Sequence, residues 1–275
     1  MKTTSFPSSL LILDRSEDVT SYPALYPFAV EELICRSMQE GSRPILHIWR
    51  HPRAFIMGLR DSRLPAAAAA KDWLQSHGYA AAVRNSGGAA VPLDSGVVNI
   101  TLMLPKEAGD MDHRKDFYRM VNMIREVLAS LTGQVEQGEV TGSFCPGEFD
   151  LAIGGRKFCG IAQRRQQRAI AVQAFLIVEG RGVDKAALAQ GFYERAVPAG
   201  TEADYPHVSP ESMSSLAECL HIPLTSQHFV QQLLDVAAEA GIAAAGPADF
   251  ADYPAEADIL EMVGLMEQRY GIATV

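Results

Sequence analysis

Cys145 is the residue best placed by type to act as a nucleophile. It sits in SFCPGEFDL, immediately before Pro146 and Gly147. A thiol with a pKa near ~8.5 becomes a useful nucleophile when a nearby cation stabilises its thiolate. Lys157, in RKFCGIA, is the best candidate for that cation. An alternating strand, a Gly154–Gly155 turn and a second short strand lie between them. A hairpin of that order can bring the two together although they are twelve positions apart. An inert turn cysteine fits the same residues. Cys159 alternates with Lys157 and shares its sheet face if the strand is regular. It is either a core residue or a wall of a pocket beside the nucleophile.

A second group lies in RNSGGAAVPLDSGVVN, residues 84–99. Ser86, Gly87 and Gly88 can offer backbone N–H groups to a carbonyl or an oxyanion. Arg84 could bind an anion or anchor the loop, and Asp94 and Asn99 could hold it by hydrogen bonds. The paired glycines mark either close backbone approach to a ligand or a sharp turn. The stretch is neither GxGxxG nor a P-loop. Together with a cysteine turn it fits acyl transfer, with one element donating hydrogen bonds and the other attacking. The histidines do not complete a Cys-His-Asp triad. His47 and His51 read as packed or strand-surface residues, without metal-ligand spacing, so no metal is expected.

Several elements must position these groups. Residues 1–23 read as an extended arm, with LLIL at 10–13 as a candidate edge strand. The period over 25–39 predicts a helix. Residues 43–51, 54–58, the YAAAVR stretch, 96–104 and 169–178 read as strands. Pro65 opens an alanine-rich helix that stops at Gly78. The apolar stripe Phe117, Met120, Val121, Ile124, Val127, Leu128 and Leu131 predicts a helix over 113–131. After Gly180 the chain turns helical, over 184–190, 210–220, 226–240 and 255–270, with Ser209 as the expected cap before Pro210. The class is α+β, a mixed sheet with packed helices followed by a mainly helical C-terminal region. The expected division is 1–40 (arm and helix), 41–245 (catalytic domain) and 246–275 (linker and helix).

The chain has 275 residues, a net charge of -9 and four cysteines. It can bury a full core. The acidic balance argues against general nucleic-acid affinity. No apolar run approaches the ~20 residues of a membrane span, and MKTTSFPSSLLILDRS makes a poor export signal, so the expected location is the cytoplasm. The cysteine spacing matches no zinc motif, and Cys35 and Cys219 read as small buried hydrophobes. The richest basic patch, Arg156–Arg168, suits an anionic ligand or an acidic protein partner.

Two stretches carry a resemblance. Arg84–Asn99 resembles the signature loop of the biotin/lipoate protein ligase superfamily, Arg-x-Ser/Thr-Gly-Gly-Gly-x-Val, then a histidine, then an asparagine on a strand. Residues 153–163, IGGRKFCGIAQ, resemble its Gly-x-Lys-x-x-Gly-x-Ala/Ser-Gln segment. The similarity covers about 40–245. The third glycine is Ala89 here, and Pro92-Leu93-Asp94 replaces the ligase histidine, which argues against an adenylated intermediate. SFCPGEFDL resembles the acyl-thioester cysteine segment of the cysteine-dependent octanoyltransferases in that superfamily. The resemblance implies a biotin/lipoate ligase-like catalytic domain with no cofactor. It implies an octanoyl group carried on Cys145, with Lys157 lowering the thiol pKa. Arg84, Ser86, Gly87, Gly88, Asn99, Gly160 and Ala162 would bind substrate. The implied donor is a lysine amide on the glycine cleavage H protein, and the acceptor a lipoyl-domain lysine of 2-oxoacid dehydrogenase E2 subunits. An octanoyl-acyl carrier protein donor, an ATP-dependent ligase and an inactive lipoyl-domain binder are the alternatives. Val98, Ile100, Phe158 and Ile161 are candidate walls of an acyl tunnel, and the basic residues at 164–168 would steer acidic carriers.

Overall fold

The computed structural model describes residues 4–19, 22–107, 109–250 and 253–272. Two sheets share one buried space. The first strand, β1 (Leu11–Arg15), is followed by helix α1 (Tyr26–Ser37) and strands β2 (Ile45–Trp49) and β3 (Arg53–Met57). Helix α2 (Ala67–Ser76) leads to β4 (Ala80–Val83), β5 (Val91–Asp94) and the long β6 (Val97–Pro105). Helix α3 (His113–Leu128) and the short β7 (Glu136–Gln137) precede β8 (Leu151–Ile153), β9 (Arg156–Arg165) and β10 (Ala169–Ile177). The rest is helical, α4 (Gly182–Ala196), α5 (Leu216–Leu220), α6 (Ser226–Glu239) and α7 (Glu256–Tyr270), apart from the two-residue β11 (Ala244–Ala245).

The main sheet runs β11-β1-β2-β6-β10-β9-β8-β7, and a small sheet runs β4-β3-β5. Both are mixed: β1 pairs parallel with β2, and β2, β6, β10 and β9 pair antiparallel in turn. Central strands β6 and β10 are buried on both faces, so they read as continuous apolar runs. One face of the main sheet packs on α3, α5 and α6. The other packs on α1, the small sheet and α4. β2 and β3 follow each other in the chain with Pro52 between them, yet β3 lies in the small sheet.

The N-terminal arm carries β1, which lies near the edge of the main sheet, beside the two-residue β11. Helix α1 roofs the sheet, and α7 packs on α1. The expected helix over 210–220 divides into a 3-10 turn, Pro210–Ser212, and α5. The cap is Ser215, which forms a reciprocal capping box with Glu218, whereas Ser209 makes no side-chain cap. No helix among the described residues is long and apolar enough to cross a membrane.

Candidate active site

The hairpin of β8 and β9 turns at Gly154–Gly155 and carries Lys157 back beneath the Cys145 turn. Lys157 is fully buried. Its ammonium donates to the carbonyl oxygens of Cys145 at 2.6 Å and Phe144 at 2.9 Å, and pairs with Asp150 at 2.8 Å. The second Asp150 interaction is with the Gly147 amide, which donates to its carboxylate at 3.0 Å. Lys157 and Asp150 thus clamp the turn from both sides. Burial pushes the Asp150 carboxyl up to about 6, against the pull of Lys157.

The clamp holds Cys145 in an unusual conformation. Its φ is 47°, in the left-handed region that costs a side-chain-bearing residue roughly 1–2 kcal/mol. The strain aims Sγ away from the clamp, toward the 84–89 loop. There the Ala89 amide donates to Sγ at 3.2 Å, and Arg84 Nη2 lies 3.6 Å from it. The hairpin does bring Lys157 onto Cys145, with the ammonium on the backbone carbonyl and not on the sulfur. Among the described residues its ammonium makes no hydrogen bond to sulfur, because two carbonyls, Asp150 and, at 3.5 Å, the Ser143 hydroxyl surround it. The cation at the sulfur is Arg84.

Arg84 also anchors its own loop. Its guanidinium donates to the carbonyls of Gly87, Ala89 and Ile56. The far side of the loop is tied by Asn85, which donates to Glu32 at 3.0 Å, and by Arg164, which donates to the Asn85 carbonyl and to Glu32. Gly88 has φ 87°, and a β-carbon there would lie 2.7 Å from both Arg84 Nη2 and Cys145 Sγ. The glycine is required by conformation and by the approach of the thiol. The backbone amide on the sulfur is that of Ala89, which follows the Ser86–Gly88 stretch. Asp94 does not brace this loop: it accepts from Gly96 and from Lys185.

Cys145, Arg84, Gly160, Ile161, Ala162 and Asn99 all face one pocket, with about 440 Å³ of non-atom space including its mouth. Its apolar walls are Phe28, Trp49, Ile56, Val91, Leu93 and Phe175. Of the tunnel residues expected from sequence, Ile161 lines it. Val98, Ile100 and Phe158 lie in the core on the other face of the sheet. Cys159 lies there too, and does not share a face with Lys157. The register shifts between Leu151 and Ala152, so that Leu151 faces Cys159 while Ala152 faces Lys157. This bulge makes Phe158 the extra residue and reverses the alternation. Burial pushes the Cys159 thiol well up, as expected of a core cysteine.

The pocket has a polar end. Thr101 and Gln173 are cross-strand partners, with His47 beside Thr101. All three bond to the buried Glu31 of α1, as does Trp49. Asn99 Nδ2 and Gln173 Oε1 are buried without partners. Sequence reading missed Glu31, since a carboxylate inside a helical period looks solvent-facing. The basic patch is also altered by folding. Arg164 pairs with Glu32, and Arg165 with Asp116 and Asp110, so much of its charge is already neutralised.

Residues 23–238 match the family model described as the lipoyl protein ligase A/B catalytic domain. Similar proteins include the octanoyl-[GcvH]:protein N-octanoyltransferase of Exiguobacterium sibiricum, 41% identical over 78% of each chain. The protein of the same name from Bacillus velezensis is 37% identical over 81% of this chain and 79% of its own. Among solved structures, lipoate-protein ligase A bound with ATP superposes with a TM-score of 0.70 at 22% identity, covering 98% of this chain and 100% of that one. A bi-partite lipoate protein ligase from Thermoplasma acidophilum gives 0.64 at 20%, covering 97% of each. These two likenesses concern the fold.

Proposed function

The chain belongs to the lipoyl protein ligase A/B catalytic-domain family, and from that premise we propose that it is an octanoyl amidotransferase. It moves an octanoyl group from a lysine of the glycine cleavage H protein to a lipoyl-domain lysine of E2 subunits; its relatives' names give octanoyl-[GcvH] as their donor. The intermediate is a thioester on Cys145. The observation that carries this reading is the thiol itself. It stands at an apolar pocket with a backbone amide and a guanidinium aimed at its sulfur.

The chemistry follows from that placement. Negative charge on sulfur meets two fixed donors, so little reorganisation accompanies attack. Burying the alkyl chain in the pocket contributes ~0.8 kcal/mol per methylene, several kcal/mol in all. Lys157 acts as a positioning residue, since it holds the carbonyl of the nucleophile rather than its sulfur. The exchange replaces one lysine amide by another, so no nucleotide is required. Leu93, within the segment that stands where the ligases carry a histidine, forms pocket wall instead.

The test is to incubate the protein with octanoylated H protein and, separately, with octanoyl-acyl carrier protein, without ATP. Intact mass should show one octanoyl adduct from H protein, mapped by peptide analysis to Cys145, and the adduct should discharge to a lipoyl domain. An adduct on Cys159, or transfer that survives Cys145→Ala, would overturn the mechanism.

A further inference from the structure

A second cleft lies on the outer side of the 84–89 loop. Ser86, Gly87, Gly88 and Ala89 form one wall, and Asp61 and Pro146, the residue that follows Cys145, also line the cleft. The lining of the cleft has a larger polar share than that of the acyl pocket, although most of it is apolar. Asp61 is buried. Its carboxylate accepts from the Gly58 amide at 2.7 Å and from the Tyr193 hydroxyl at 3.0 Å. That hydroxyl in turn accepts from the Ala90 amide at 3.2 Å, one residue beyond the amide on the thiol. Gly58 packs against the loop so closely that a β-carbon would fall 2.0 Å from the Gly88 carbonyl oxygen. Two further observations point to a ligand. Ser86, 3% exposed, has a hydroxyl with no partner in this wall. At the rim, Arg60 and Asp204 are almost fully exposed and 3.6 Å apart, a contact weak enough to open.

Resting on the activity proposed above, we propose that this cleft is the lysine channel and that Asp61 is the group exchanging a proton with the substrate lysine. A lysine ammonium, with a pKa near ~10.4, must lose a proton before it attacks a thioester. Asp61 accepts that proton. The neutral amine then adds to the acyl carbon. The C–S bond breaks with its electron pair on sulfur, and nitrogen's second proton ends on sulfur. The products are the amide, protonated Asp61 and the Cys145 thiol, with charge and protons conserved. The donor half-reaction is the reverse, so protonated Asp61 supplies the proton that the departing lysine needs. One carboxyl therefore serves both halves. Burial pushes the Asp61 carboxyl up, which favours proton uptake, while the hydrogen bonds from the Gly58 amide and the Tyr193 hydroxyl, and then the Arg84 guanidinium, oppose this.

The test separates lysine chemistry from thiol chemistry. Cys145 is charged with p-nitrophenyl octanoate, whose leaving group needs no proton. The acyl-enzyme is then discharged by a lipoyl domain or by hydroxylamine, which arrives neutral. Asp61→Asn should charge normally and discharge normally to hydroxylamine, but lose about 100-fold or more in discharge to the lipoyl domain. Equal discharge to the lipoyl domain by wild type and Asp61→Asn overturns the assignment, and so does an equal loss with both nucleophiles. If Asp61→Asn does not charge, Tyr193→Phe carries the test, with selective loss of lysine discharge expected and an unselective loss or none overturning it. Failure of the wild-type protein to take octanoyl from H protein would instead remove the activity on which this rests.

Discussion

Cys145 and Lys157 divide the work of the site between sulfur and backbone. Cys145→Ser should keep the strained turn and the pocket while removing the thioester, so transfer should fall at least ~100-fold with unchanged unfolding in urea. Lys157→Met strands the Asp150 carboxylate in a dry interior. A broken buried pair costs about 3–5 kcal/mol, and Lys157→Met with Asp150→Asn should recover part of it. Urea denaturation reads both variants. If Lys157 acts through the Cys145 carbonyl, the double variant should also leave the thiol alkylated more slowly by a neutral reagent, because the turn is no longer held.

At the scale of elements, the acyl pocket depends on the small size of Gly160 on β9, directly opposite Phe175 on β10. A β-carbon at Gly160 would lie 2.5 Å from the Phe175 ring. Gly160→Ala should therefore push the ring into the pocket, costing about 1–3 kcal/mol in stability from overpacking. It should slow charging by octanoyl thioesters more than by butanoyl thioesters, and equal slowing would argue against this wall. Helix α1 matters for a related reason. Its adjacent carboxylates serve two purposes, Glu31 tying the polar end of the pocket and Glu32 tying the Ser86 loop to β9.

For the whole molecule, several buried titratable groups set the pH dependence of stability. Burial lowers the pKa of His47 and His51. Below about pH 6.5 the unfolded chain takes up protons that the folded one resists, so their contribution is present above that pH and lost as pH falls. Asp150 runs the other way. Its folded value, about 6, lies above the ordinary 3.8. Its contribution is full below the ordinary value and lost as pH rises through the folded one. Each group contributes a slope of up to about 1.4 kcal/mol per pH unit. His47→Gln should flatten the acid-side loss, and Asp150→Asn should remove the opposite trend, measured by urea unfolding at a series of pH values. Carrier recognition is also a property of the whole surface. With Arg164 and Arg165 already paired to acids, steering by that patch should be weaker than its sequence suggests.

The sequence alone determined the residue types that matter, because they are local in chain and pattern. Cys145 in its turn, the Ser86–Gly88 loop, the Gly154–Gly155 hairpin and the long apolar strands are all legible from neighbours a few positions apart. So was the class, since strand and helix periods alternate and then give way to helices. The tertiary structure decided which partner each group meets. A single bulge at Phe158 separated Lys157 from Cys159, and no local signal announces a register shift. Arg84 and Ala89 reach the thiol across 61 and 56 positions. Glu31, Asp61 and Tyr193 gain meaning only from groups brought to them by other elements. Burial then converts those meetings into charge behaviour, because a carboxylate or an ammonium out of water takes its properties from whichever few atoms surround it.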